Sequence, residues 1–159
     1  KAILRVSATG NVELDSVSTS KSVFSEEDSK KRCAEILELP ETKIKLDQET
    51  EHYFVFVANF VKKKLFNKKT ITSVVVLDKF GRLKLSINSG KIFQGTETET
   101  KTNVEQFLKS RHNDIAPQVH LLTDLKLIDY SSLTSNSSIV DAIGQEFKES
   151  KKVIAIIEL

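Results

Sequence analysis

Two almost purely apolar runs stand out along the chain, Tyr53–Val61 (YFVFVANFV) and Ile71–Leu77 (ITSVVVL). Both are rich in β-branched and aromatic residues, the types that pack on a pleated, buried surface. Neither shows the alternation of a half-exposed strand, so both are predicted to be strands covered on two faces, at the centre of a sheet. Asp78-Lys79-Phe80-Gly81 reads as a tight turn in which Gly81 supplies positive φ. After it Leu83, Leu85 and Ile87 alternate with Arg82, Lys84 and Ser86, predicting a strand with one wet face. A turn at Asn88-Ser89-Gly90 leads to a short strand over 91–94, so that this region predicts a three-stranded antiparallel meander.

Elsewhere the periodicity changes. Residues 2–7 and 12–17 read as two short strands around the turn-rich 8–11. Ser25 followed by Glu26, Glu27 and Asp28 predicts a capped helix start, and Pro40 stops that helix near Leu39. Cys33, Ile36 and Leu37 share one face of it, which makes Cys33 a small buried hydrophobe. Residues 43–47 alternate as a half-exposed strand. Thr102 and Glu105 have capping-box spacing and predict a second helix over 102–112, with Val104, Phe107 and Leu108 inward. Residues 119–122 and 125–129 form one bent strand or two short ones. Ser131–Ser138 reads as a loop. Ser138 with Asp141 caps a third helix over 138–149, with Ile139, Ile143 and Phe147 on one face. Residues 153–159 (VIAIIEL) again lack alternation and predict a strand that is either central or paired with the rest of a larger protein. The expected fold is α+β: one domain over residues 1–159, with a mainly antiparallel mixed sheet and three flanking helices.

Composition narrows the classes. The 159 residues are 39% apolar and 29% charged with a formal net charge of +2, ordinary values for a globular chain. No apolar run approaches the length of a membrane helix, and Lys1–Gly10 has no signal-peptide pattern. The single cysteine excludes an internal disulfide framework or a Cys-rich zinc site and fits a reducing, intracellular, cytoplasmic setting. The start at Lys1 and the absence of methionine suggest a piece of a larger protein.

Three sets of residues are candidates for chemistry. Lys62, Lys63, Lys64, Lys68 and Lys69 put five lysines into eight residues between the two apolar runs, around Leu65-Phe66. Such a loop suits an anionic partner, whether a membrane surface, a nucleic acid or a protein, with Leu65-Phe66 placed to insert beside the charges. Its bland alternative is a solvated hairpin tip whose lysines discourage aggregation. Asp78, Asp124 and Asp129 lie near strand ends and form the second set. His52, His112 and His120 are isolated in sequence, with no His or Cys at metal-ligand spacing. Nucleotide, P-loop and common hydrolase motifs are absent, and no cofactor is implied.

From Thr70 onward the element order, three antiparallel strands followed by helix, strand, helix and strand, resembles that of RNase H-like domains. That resemblance implies a nuclease or ATPase-derived domain using a carboxylate cluster built from Asp78 with Asp124 or Asp129, the enzyme alternative for this chain. Asp78, however, reads as a turn residue, and no glycine-rich phosphate turn follows the first strand. The basic loop between sheet strands, with the meander and LLTDLKLIDYSS after it, resembles the layout of pleckstrin-homology-like domains. It implies a phosphoinositide site in that loop, although those domains close with a helix where this chain closes with a strand. Of these readings the pattern favours a non-catalytic interaction module of a larger intracellular protein, contacting a partner protein, the rest of its own chain or an anionic surface through the lysine loop.

Overall fold

The two apolar runs form adjacent antiparallel strands, β4 (Tyr53–Lys63) and β5 (Lys68–Asp78), at the centre of a four-stranded sheet of order β3-β4-β5-β6. β3 is Ile44–Glu49 and β6 is Leu83–Asn88. The structure, a computed structural model, describes residues 23–63, 65–111, 118–130 and 135–158 in full, and residues 3–7 and 11–16 as backbone. The latter form a two-stranded antiparallel hairpin, β1 (Ile3–Ser7) and β2 (Asn11–Ser16). A second four-stranded sheet has the order β7-β10-β8-β9, from β7 (Gly90–Phe93), β8 (Gln118–Thr123), β9 (Leu127–Tyr130) and β10 (Val153–Glu158). The helices are α1 (Glu26–Leu37), α2 (Glu97–Ser110) and α3 (Asn136–Glu149). The fold is α+β.

Three apolar layers explain why β4, β5 and β10 lack alternation. Phe54, Phe56, Val75 and Leu77 point outward from the first sheet and are covered by Cys33 and Ala34 of α1. Val55, Val74, Val76 and Ile87 point the other way and pack on Leu122, Ile154 and Ile156 of the second sheet. The far face of that sheet, with Val119, Leu121, Val153, Ala155 and Ile157, is covered by Val104 and Leu108 of α2 and Ile139 and Ile143 of α3. The order of layers is helix, sheet, sheet, helices. A strand in either sheet therefore has two apolar faces although its pairing is antiparallel.

The expected three-stranded meander is where the structure differs. β6 and β7 are separated by Ser89 alone, yet β7 leaves the first sheet and pairs with β10 of the second, Ile92 opposite Ile156. Ser89 takes a left-handed backbone, φ 59°. At Gly90 a Cβ would lie 2.7 Å from Ile87 Cδ1 and 2.9 Å from Val74 Cγ2, so only glycine lets the chain cross between the sheets here. The single mixed sheet is thus replaced by two antiparallel ones. The topology does not confirm the RNase H-like arrangement, which needs the third meander strand to stay with the first two.

Two helices start earlier than expected. α2 begins at Glu97, capped by Thr96 with Glu99 in a reciprocal capping box, rather than at Thr102 with Glu105. The threonine-glutamate repeat offers the same spacing twice, and Thr100, fully buried, occupies the inward position one turn before Val104. α3 is capped by Ser135, which accepts from the Ser138 amide at 3.1 Å, so its first turn lies within the stretch read as a loop. Three further expected signals are present, while the turn expected over 8–11 and the helix end expected at 112 involve residues outside the described ones. Ser25 accepts from the Asp28 amide, Glu38 ends α1 in a left-handed conformation just before Pro40, and Gly81 has φ +79°. Residues 119–129 form two strands, paired Val119 to Tyr130 through Leu122 to Leu127.

Candidate functional site

The lysine-rich segment is the end of a projecting arm. β4 and β5 pair without interruption from Tyr53↔Asp78 to Lys63↔Lys68. Their neighbours stop earlier: β3 pairs with β4 only over Phe54–Ala58, and β6 pairs with β5 only over Ser73–Leu77. Five rungs, from Asn59↔Thr72 to Lys63↔Lys68, therefore extend beyond the sheet. At about 3.4 Å per residue that is an arm roughly 17 Å long. At its base Thr72 Oγ1 donates to Asn59 Oδ1 at 2.8 Å.

The arm's last two rungs are Lys62↔Lys69 and Lys63↔Lys68, each with like charges directly opposite, an arrangement that destabilises a strand pair. Strand alternation sets Lys62 and Lys69 on the face of Phe60 and Ile71, and Lys63 and Lys68 on the face of Val61 and Thr70, so both broad faces are basic. Beyond them Leu65 and Phe66 are 90% and 89% exposed. Neither Asp nor Glu occurs between Glu51 and Asp78 to neutralise the lysines. Lys64 lies outside the described residues. The arm holds five of the chain's 24 basic residues, and with a formal net charge of +2 overall, the remainder carries 2 − 5 = −3.

Asp78 is a structural turn residue. It is 6% exposed, and its Oδ1 accepts from the amides of Phe80 and Arg82, both at 2.9 Å. Its Oδ2 receives Arg82 Nε at 2.6 Å, with Lys84 Nζ 3.9 Å away. Burial pushes the carboxyl up, but the backbone and guanidinium hydrogen bonds outweigh it and hold it below its ordinary value. Asp78 lines one cleft, of about 520 Å³, with His52, Tyr53 and Leu125. Asp124 lines another, of about 400 Å³, where its Oδ2 accepts from Ser150 Oγ at 3.4 Å. Asp129 is bound to His120, Oδ1 to Nδ1 at 2.6 Å. The three carboxylates are thus held by different partners, and no group of three His, Cys, Asp or Glu side chains among the described residues could hold a metal ion.

Two polar clusters emerge that strand and helix patterns alone do not reveal. His120 sits between carboxylates from both neighbouring strands, Asp129 on β9 and Glu158 on β10, the latter 3.7 Å from its Nε2. Glu146, buried on α3, accepts from the Tyr130 hydroxyl at 3.3 Å and faces Lys126 Nζ at 3.5 Å. Burial and the Glu146 charge together push the Tyr130 hydroxyl up. Only the register of β8 with β9 and β10 brings the first cluster together. His52 is half-exposed beside Glu51, and His112 lies outside the described residues. Cys33, on the inward face of α1, is fully buried, and desolvation pushes its thiol up to about 11, which makes it a packing residue. No helix of the described residues is long and apolar enough to cross a membrane. Compared with protein-family models, with curated proteins and with solved structures, the chain matches none.

Proposed function

We propose that this chain is a non-catalytic interaction module whose β4–β5 arm contacts an anionic partner. One observation carries the reading: exposed lysines stand opposite each other in consecutive rungs on an arm that packs against nothing in the sheet. The side chains of such rungs oppose folding, since each sets two positive charges side by side. An anionic surface relieves the repulsion and adds about 1 kcal/mol per lysine, or about 5 kcal/mol for Lys62, Lys63, Lys64, Lys68 and Lys69 together. The enzyme alternative needs converging carboxylates, and Asp78, Asp124 and Asp129 are each engaged separately.

The test is a variant with Lys62, Lys63, Lys68 and Lys69 all changed to Gln. It is compared with the unaltered chain for binding to a panel of anionic probes: duplex DNA, polyglutamate and phosphatidylserine vesicles. The expected result is unchanged circular dichroism and loss of whichever probe the parent chain binds, with the parent's binding falling steeply as salt rises. Undiminished binding by the variant would remove the arm from consideration.

A further inference from the structure

We infer that the arm's partner is an anionic lipid bilayer, entered tip first, an inference that rests on the anionic-partner reading above. Three features of the arm point to lipid rather than to a nucleic acid or an acidic protein. The first is the order of side chains along its axis. Leu65 and Phe66, almost fully exposed, lie beyond the last rung, with the lysine rungs one and two steps behind them. At about 3.4 Å per step, the backbone of the lysine rungs lies roughly 3–7 Å behind the tip. That spacing matches the roughly 5–10 Å depth to which interfacial elements bury their apolar side chains while basic ones meet the headgroups.

The second feature is the distribution of charge around the axis. A protein surface meets one side of a ribbon, whereas Lys62 and Lys69 project from one broad face and Lys63 and Lys68 from the other. A collar that is basic on both faces suits a medium that surrounds the arm. No tryptophan or tyrosine is interleaved with these lysines as a stacking platform for bases, and Phe66 is at the very tip.

The third feature is the contrast between arm and body. Outside the arm the chain is formally −3. An arm of roughly 17 Å exceeds the Debye length of about 8 Å at physiological salt. With the tip in the headgroup layer, repulsion between the body and an anionic surface is largely screened while the lysines feel it fully. The same field turns the arm toward the membrane on approach. Apolar tip and basic collar together supply the two signals that stable surface anchoring needs.

The chain has no tryptophan, so Phe66→Trp places a single indole at the tip. The experiment adds vesicles of phosphatidylcholine alone, or mixed with phosphatidylserine, to this variant, and follows emission wavelength alongside co-sedimentation. A blue shift with the mixed vesicles and none with the neutral ones is expected. Each Lys→Gln change in the arm should weaken partitioning about fivefold. Leu65→Ser with Phe66→Ser should weaken it further without altering any binding to duplex DNA. Vesicle binding with the introduced indole still in water would overturn tip-first entry. Binding of duplex DNA or polyglutamate without vesicle binding would overturn the lipid inference and leave the anionic-partner reading standing. If no anionic probe binds, both fall.

Discussion

Changing Lys68 and Lys69 to Glu separates what the arm does for folding from what it does for binding. The two substitutions convert the Lys63↔Lys68 and Lys62↔Lys69 rungs from like to opposite charge. A cross-strand opposite-charge pair contributes roughly 0.2–1 kcal/mol and a like-charge pair opposes folding by a similar amount. These side chains are exposed, so the lower part of that range applies, about 0.5–1 kcal/mol per rung and about 1–2 kcal/mol in all. In a chain of this size that raises Tm by about 2–8 °C. The arm meanwhile goes from +5 to +1, because each substitution changes the charge by two. At about 1 kcal/mol per unit charge near an anionic surface, affinity drops by about three orders of magnitude. Urea denaturation followed by far-ultraviolet circular dichroism reads the first quantity, with an unchanged m-value as the sign that the same surface is exposed on unfolding. Titration against the anionic probe that the parent chain binds reads the second. Raising the salt should erase both differences. A gain in stability with a loss in binding is the trade expected where charges are kept for a partner rather than for the fold. If the variant is destabilised, or binds as well as the parent, the lysine rungs do not have this role.

Further expectations concern the layers that hold the arm. Ile154 is completely buried between the sheets, so Ile154→Ala removes three carbons and leaves a cavity, costing about 2–5 kcal/mol by denaturant unfolding; a cost under about 1 kcal/mol would mean the sheets do not stack this way. Asp78 has a folded pKa below its ordinary 3.8, so the stability it supplies is present above that value and is lost as pH falls through the folded one. Asp78→Asn should therefore be less stable than the parent at pH 7, by about 1–2 kcal/mol, and the difference should shrink below about pH 4; a pH-independent difference would assign the effect to shape rather than charge. Cys33, with its thiol raised to about 11, should resist maleimide at pH 8 in the folded chain and react at once in denaturant; rapid labelling of the folded chain would show that α1 does not seal the outer face.

Much of this architecture was legible residue by residue. β4 and β5 could be placed at a sheet centre because length, β-branching and missing alternation agree, and each has neighbours on both sides; the same pattern in β10 left pairing outside the chain as an alternative, and the structure sets it between β7 and β8. Ser25 and Gly81 each pair a residue type with the backbone geometry it favours. What escaped was set by contacts distant in sequence. The transfer of β7 to a second sheet depends on pairing with β10, more than 60 residues later, and on a clash at Gly90 that exists only once Val74 and Ile87 are in place. The early start of α2 was hidden because Thr100, a polar residue, fills the inward position. At the site, the lysines were visible as composition, but their arrangement as opposed rungs on an unsupported arm required the register of β4 with β5 and the shorter reach of β3 and β6. His120 with Asp129 and Glu158 was invisible for the same reason, as three residues on three strands.

If the arm carries binding while the stacked sheets carry stability, the two should come apart when the arm is removed. Replacing residues 60–71 with Asn-Gly does this, closing β4 and β5 by a two-residue turn after the Asn59↔Thr72 rung. No residue of the inter-sheet layer is touched. The measurement is affinity for the anionic probe bound by the parent chain, made on a variant shown by cooperative unfolding to be folded. The trimmed chain is expected to unfold as cooperatively as the parent and to bind nothing. Parent-level affinity in the trimmed chain would place the binding surface elsewhere on the molecule.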